Sequence, residues 1–256
     1  FSIMNSLSPE HREREEADPL HVLIIVRGFQ KENPRDQETI KAMKRIMDWR
    51  DKVGFYNFFD QHLPMEKEFY EWWPERIYGT DKYGHFLQVI RASEILADKF
   101  DDVDPDQIEK LQGQKMKTYG EYKRKISKEK GQTRYKHSLV IDMTGVSLNL
   151  ARQKKRDLLK RIFDVGTHYY PETMWKIYLV NSPFLFRGIW AIVKPWLHPI
   201  TVAKVNVLGS YKSSMDHMMK DGITPDQLPD WIGGSHKGQT TVSLLHEYIE
   251  QAKQSS

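Results

Sequence analysis

KIYLVNSPFLFRGIWAIVKPWLHPITVAKVNVLG, residues 176–209, is the stretch on which the fold turns. Its two ends read as buried strands. Lys176 to Asn181 centres on Ile177, Tyr178, Leu179 and Val180; Ala203 to Leu208 alternates, with Val205 and Val207 on one side and Leu208 on the other. Short apolar runs rich in β-branched residues suit a covered sheet. Between them, Phe184, Leu185, Phe186, Ile189, Trp190, Ile192, Val193, Trp196 and Leu197 point all round a helix rather than along one stripe. A helix apolar on every side is buried, or meets something apolar that is not protein. This one is too short to span a bilayer, and Arg187, Lys194 and Pro195 interrupt it. It is expected to lie over an apolar cavity and to touch a lipid or a membrane surface. On pattern alone, an ordinary core helix is the alternative.

Outward from this stretch, strands and helices alternate. Ser138 to Met143 reads as a buried strand. Arg152 to His168 reads as a helix with Leu158, Leu159, Ile162, Phe163 and Val165 inward, and Tyr211 to Lys220 as a helix carrying Met215, Met218 and Met219. Such alternation implies right-handed crossovers and a parallel sheet. YGTDKYGHFL, Tyr78 to Leu87, is a turn leading into a strand over Phe86 to Ile90. Asp104 followed by Pro105 starts a helix that runs toward Ile126. Residues 1–20 are a polar tail or a short helix, Gln37 to Trp49 is an amphipathic helix, and Phe69, Tyr70, Trp72 and Trp73 read as core aromatics. Thr224 and Pro225 give one helical turn, Gly233 and Gly234 a tight turn, and Thr240 to Lys253 a closing amphipathic helix.

With 256 residues, 39% of them hydrophobic and 29% charged, the chain is globular and long enough to bury a core. A net charge of +4 attracts anionic surfaces only weakly and names neither nucleic acid nor membrane. The absence of cysteine excludes disulfides, thiolate zinc sites and a cysteine nucleophile, and agrees with a cytosolic protein. No signal peptide or transmembrane run is visible, and the start at Phe1 leaves room for a missing native N-terminus.

Enzyme signatures are mostly absent. There is no G-x-S-x-G elbow and no dinucleotide fingerprint after a strand. GGSHKG, Gly233 to Gly238, lacks the ending of a phosphate loop, and HEYIE at His246 lacks the second histidine of a zinc helix. DVDPD, Asp102 to Asp106, has Gln107 where a calcium loop needs glycine. No metal site and no cofactor are expected. Two basic clusters, Arg152, Lys154, Lys155, Arg156, Lys160 and Arg161, and Lys123, Arg124 and Lys125, read as solvated surface or as attraction to anionic lipid. Nucleic-acid binding would want exposed aromatics beside such charges, and here the aromatics sit in apolar segments.

Laid out in order, VIDMTGVS (140–147), YYPE (169–172), VNSPFLF (180–186), VKPWL (193–197), TVAKV (201–205) and LPDWIGG (228–234) resemble the CRAL-TRIO lipid-binding family, and within it the fungal-type phosphatidylinositol transfer proteins. The resemblance covers about residues 20 to 238. It implies an α/β fold in which a mostly parallel sheet floors a hydrophobic lipid pocket, with an N-terminal helical region over 1–75, the lipid-binding domain over 76–240 and a C-terminal helix over 241–256. The segment after Pro183 becomes the gate helix, its acyl-facing residues being Phe184, Phe186, Ile189, Trp190, Ile192, Val193, Trp196 and Leu197. The resemblance also implies that Glu172, Thr201 and Lys204 surround an inositol headgroup and its phosphate. Without it, Lys204 reads as an exposed strand residue and Glu172 as a cap on the turn after Pro171. Burying each lipid methylene is worth about 0.8 kcal/mol, so a diacyl lipid is held without a covalent step.

The departures are specific. The family's N-terminal basic pair is replaced by Phe29 and Gln30, leaving Arg27 and Lys31 on either side as substitutes. The strand before the D-x-x-G turn carries His137, Ser138 and Leu139 where the family's phosphatidylcholine site has small hydroxyl residues, and His85–Phe86 stand for arginine–proline. The expectation is a non-enzymatic protein that binds and transfers a phosphatidylinositol-like phospholipid, its ligand rather than a cofactor. It is expected to be cytoplasmic and peripheral to membranes, with the membrane surface as a transient partner, no nucleic acid, and room for a protein partner. A lipid-sensing signalling or scaffold module, and a carrier of a sterol, tocopherol or retinoid, are the alternatives.

Overall fold

The computed structural model describes residues 3–146, 153–184 and 186–255; Ser147, Arg152 and Leu185, used in the reading above, lie outside them. The polar start is helical. Ser8 accepts a hydrogen bond from the His11 backbone N–H and Pro9 occupies the first turn, so α1 forms over Pro9–Glu16. Asp18 and Pro19 repeat that device for α2, Pro19–Gly28, and α3 follows over Arg35–Val53. Helix α4, Glu66–Trp72, presents Phe69 and Tyr70 to the core, as its aromatic density led one to expect.

Six strands form one sheet in the order β5-β4-β3-β2-β1-β6. They are β1, Arg76–Thr80; β2, Phe86–Arg91; β3, His137–Asp142; β4, Met174–Val180; β5, Val205–Val207; and β6, Gln239–Thr240. From β2 to β5 every pairing is parallel. Strand β1 is antiparallel to both its neighbours and was not legible as a strand, because Gly79 and Thr80 merge it with the turn that follows. That turn is held by Asp81, whose carboxylate takes the His85 Nδ1–H at 2.9 Å while the His85 ring stacks on Trp175.

Helices cover both faces. Asp104 caps α5, Pro105–Lys130, which outruns its expected end by one turn. With α6, Gln153–Tyr169, it packs over one face of the sheet. Helix α9, Tyr211–Lys220, lies on the other face, where Val140, Tyr178 and Val180 meet Met218, Ile223 and Leu228. Helix α10, Thr241–Ser255, sends Leu245 and Ile249 into the cluster that holds Phe69 and Leu158, so the last helix shares a core with the first half of the chain.

Two readings of the organising stretch need correction. Strand β5 is not buried: it is three residues long, lies at the sheet edge, and leaves Val207 51% exposed. The apolar helix is not one helix and is not apolar all round. It breaks into α7, Phe186–Val193, a 3-10 turn over Lys194–Trp196, and α8, Pro199–Val202. Pro195 and Pro199 lack the N–H that a continuing helix needs. Within α7, Phe186, Ile189, Trp190 and Val193 recur at helical spacing and all face inward. Of the other apolar residues, Ile192 lies on α7 outside the stripe, while Phe184, Trp196 and Leu197 flank the helix.

Candidate ligand-binding site

Strand pleating decides where the cavity lies. Leu139, Ile141, Ile177 and Leu179 alternate onto the sheet face opposite α9, and the register sets Leu139 beside Ile177 and Ile141 beside Leu179. These side chains floor a cavity of about 290 Å³. Met116 of α5 and Leu159, Ile162 and Phe163 of α6 wall it, and the inward stripe of α7 roofs it. Leu197 lines it from beyond the 3-10 turn. Ile192 and Trp196 are half-buried outside the lining, Trp196 against Phe163, while Phe184 stands 79% exposed at the head of α7.

One end of the cavity is a charged mouth. Glu172, Thr201 and Lys204 all line it. Glu172 sits in the left-handed region at φ 57°, which costs a non-glycine residue about 1 kcal/mol. Lys204 lies 3.6 Å from one of its oxygens and donates to the Met174 carbonyl at 2.9 Å. Lys136 pairs with the other oxygen. Burial pushes the Glu172 carboxyl up, but the two ammonium groups outweigh burial and leave its pKa below the ordinary value. Burial likewise lowers the Lys204 pKa, with Glu172 working against it.

Lys136 was missed by the sequence reading. It stands one residue before β3, and the parallel register, which sets His137 against Met174, carries it to Glu172. Arg27 is turned elsewhere: it donates to the Tyr135 hydroxyl at 2.7 Å, and neither it nor the exposed Lys31 lines the cavity. Gly28 and Phe29, between them, do.

A second polar group, with Glu75 and Gln88 in the lining, is buried. Lys115, Gln88 and Tyr119 each donate to the Glu75 carboxylate at 2.6 Å. Tyr119 in turn accepts from Thr241 at 2.9 Å, and the Gln88 carbonyl faces His137 Nε2 at 3.0 Å. His137 is fully buried, stacks on Phe86 and is absent from the cavity lining. Burial, then Lys123 and His85, drive its pKa well below the usual histidine value, so it is a neutral packing residue. Gln112 Oε1 and Trp73 Nε1 are buried without a hydrogen-bond partner, and both residues line the cavity.

The basic clusters are consumed within the fold only in part, and Lys154, Arg161 and Lys125 stay exposed. Lys155 is buried between Asp98 and Asp101, Lys160 pairs with Asp164, and Arg124 pairs with Asp18. Lys123 is buried.

A mostly parallel sheet flooring a roofed apolar cavity, ionic at one end, defines a class of α/β protein built around an internal ligand space. The CRAL/TRIO domain profile matches residues 71–234, and the chain belongs to that family. Among relatives, a protein named "Phosphatidylinositol/phosphatidylcholine transfer protein SFH7" from Arabidopsis thaliana is 26% identical over 89% of this chain and 40% of its own length. The "SEC14 cytosolic factor" of Eremothecium gossypii is 27% identical over 73% of this chain and 60% of its own. The chain therefore spans less than two thirds of either relative. The crystal structure of Sfh5 superposes with a TM-score of 0.62 at 16% identity, covering 91% of this chain and 79% of that one, which shows the shared fold.

Proposed function

We propose that the protein binds one phosphatidylinositol-like phospholipid in this cavity and exchanges it at membrane surfaces, making and breaking no covalent bond. The observation that carries the reading is the arrangement of the cavity: an apolar interior under α7, with Glu172, Thr201 and Lys204 in its lining and Lys136, outside the lining, paired with Glu172. Two lysines against one glutamate leave a surplus positive charge where a phosphate would sit, and a phosphate takes charge-assisted hydrogen bonds from an ammonium group. Thr201 supplies a hydroxyl and Glu172 accepts from inositol hydroxyls.

At about 290 Å³ the interior stands at the small end of ligand sites, which run to roughly 1,000 Å³. A two-chain lipid therefore needs α7 to move outward, and Pro195 and Pro199 behind it mark where the segment bends. Phe184 gives the moving gate an exposed apolar contact for the bilayer. Among the described residues no helix is long and apolar enough to cross a membrane. We place the protein at the cytoplasmic face of membranes as a peripheral visitor.

Lipid extraction and mass spectrometry of the purified protein test this, together with transfer between vesicles of phosphatidylcholine doped with phosphatidylinositol. One inositol phospholipid per chain and transfer above the spontaneous rate are expected. Protein that carries no stoichiometric lipid and moves none overturns the reading. A second reading, a carrier of a hydrophobic alcohol such as a sterol or retinol, draws on Gln112 Oε1 and Trp73 Nε1: a hydroxyl could donate to the first and accept from the second. The same mass spectrum separates the two.

A further inference from the structure

We propose that His62, Glu66 and His246 form a binding site for one zinc ion, which ties the C-terminal helix to the N-terminal helical region. The ligand atoms of these three residues lie within 4.8 Å of one another, and none of the three lines the lipid cavity. His62 Nδ1 stands 2.8 Å and His246 Nε2 2.9 Å from the same oxygen, Glu66 Oε1. Tetrahedral zinc with nitrogen and oxygen ligands sets donor atoms roughly 3.3 Å apart, so small side-chain rotations convert this cluster into a coordination shell.

The carboxylate is built for the purpose. Glu66 is 5% exposed, and its second oxygen, Oε2, accepts from Gln114 Nε2 at 3.2 Å and from the Leu63 backbone N–H at 3.4 Å. Those two donors fix the carboxylate and leave Oε1 turned to the imidazoles, the way outer groups orient metal ligands. Among the described residues, the ion-pair partners of this buried carboxylate are the two histidines alone. A carboxylate removed from water needs a cation beside it, and a divalent ion supplies the charge while keeping both imidazoles neutral. The histidine side chains are half exposed, and an open cleft runs past all three residues, so an ion can enter and a water can complete the shell. A set of two histidines and one carboxylate with an open fourth position suits zinc.

The sequence hid this site. His246 opens an H-E-x-x pattern whose second histidine is missing, and Glu247, next to it, instead accepts from Gln239. The missing imidazole comes from the loop before α4, and Glu66 is 180 residues from His246. An ion held across that span stabilises only the folded chain.

The test uses the full chain, stripped with a chelator and titrated with zinc chloride by calorimetry, with thermal unfolding followed in parallel. One zinc per chain is expected, with Tm raised by about 5–10 °C at a hundredfold excess over Kd. His62→Ala and His246→Ala should each weaken uptake at least tenfold and abolish the Tm rise. Each variant leaves Glu66 one imidazole partner, so each Tm rise is measured against that variant's own metal-free form. Zinc uptake by the wild type no tighter than by the doubly substituted H62A/H246A chain, or uptake without a rise in Tm, overturns the proposal. Neither readout depends on lipid exchange.

Discussion

Two carboxylate–lysine groups meet the cavity, and they differ in burial and in charge balance. In the inner group Glu75 and Lys115 are almost wholly buried, and Gln88 and Tyr119 complete the carboxylate's shell. Charge is balanced one to one, and a ligand finds no surplus there. At the mouth, Glu172 faces two lysines, and all three side chains keep some exposure to water. The inner group specifies how α5, β2 and the approach to β1 pack together. The outer group keeps one positive charge in excess and a left-handed turn at Glu172. On the function proposed above, the same residue types build structure where they are matched and a binding site where they are not.

The sharpest way to break this contrast is Lys115→Met. It strands the Glu75 carboxylate in the interior, and losing one partner of a buried pair costs about 3–5 kcal/mol. Urea unfolding should show a loss of that size, and adding Glu75→Gln should recover part of it, since a neutral amide still accepts from Tyr119. A loss below about 1 kcal/mol, the level of a surface pair, would erase the distinction between the two groups.

Lys123 extends the inner region along α5 and behaves differently from Lys115. It is 6% exposed, and burial, helped by Arg124, pulls its pKa from 10.5 to about 7. Below pH 7 the lysine is charged in both states and the folded protein bears the full cost. Between pH 7 and 10.5 the unfolded chain binds the proton and the folded chain does not, so stability rises with pH. Above 10.5 the cost is gone. Lys123→Met should therefore stabilise the protein at pH 7 by about 4 kcal/mol and flatten the rise between pH 7 and 10.5. Chemical denaturation at three pH values checks both effects.

At the mouth the expected effects move from stability to binding. Lys204→Ala should cut affinity for phosphatidylinositol roughly 10- to 100-fold, the range of a hydrogen bond to a charged group. Stability should change by less than about 1 kcal/mol, because Glu172 keeps Lys136. Lys136→Ala should do the same through the other oxygen. If either variant unfolded the protein while leaving lipid binding intact, the mouth would be a second structural pair and the contrast would vanish.

What the sequence disclosed followed from local chemistry. The caps at Asp104 and Pro105, the β-branched run of β3 and the ordered motifs from 138 to 234 each carry their own signal, and the structure agrees with them. The resemblance singled out Glu172 and Lys204, and the structure sets both in the cavity lining. Lys136 and His62 were not legible. Each becomes part of a cluster only through strand register or helix docking, and no spacing along the chain encodes either. The extent of α7 was misjudged for a related reason: apolar residues past Pro195 look helical in a pattern although the backbone cannot continue there. Strand β5 was taken as buried because its composition is apolar, and composition does not say which strand lies at the edge.

The smallest effect concerns how α2 reaches the mouth. A Cβ on Gly28 would lie 2.9 Å from the Cβ of Pro171 and 3.6 Å from the Cγ of Glu172, so α2 ends directly on the turn that carries the carboxylate. Gly28→Ala must push that turn or the helix by a few tenths of an ångström, and overpacking of this kind costs about 1–2 kcal/mol. Against it works the gain of about 1 kcal/mol that alanine brings to a helix. The net should be a loss of about 1 kcal/mol or less, with phosphatidylinositol affinity reduced less than tenfold as Glu172 shifts relative to Lys204. Gly120 in α5 is the control, because a Cβ there meets nothing within 4 Å. Gly120→Ala should show the helix gain alone, about 1 kcal/mol of added stability, and leave binding untouched. Equal effects from the two alanines would mean that α2 does not press on the mouth, and that the site is assembled by the sheet and α8 without the N-terminal helices.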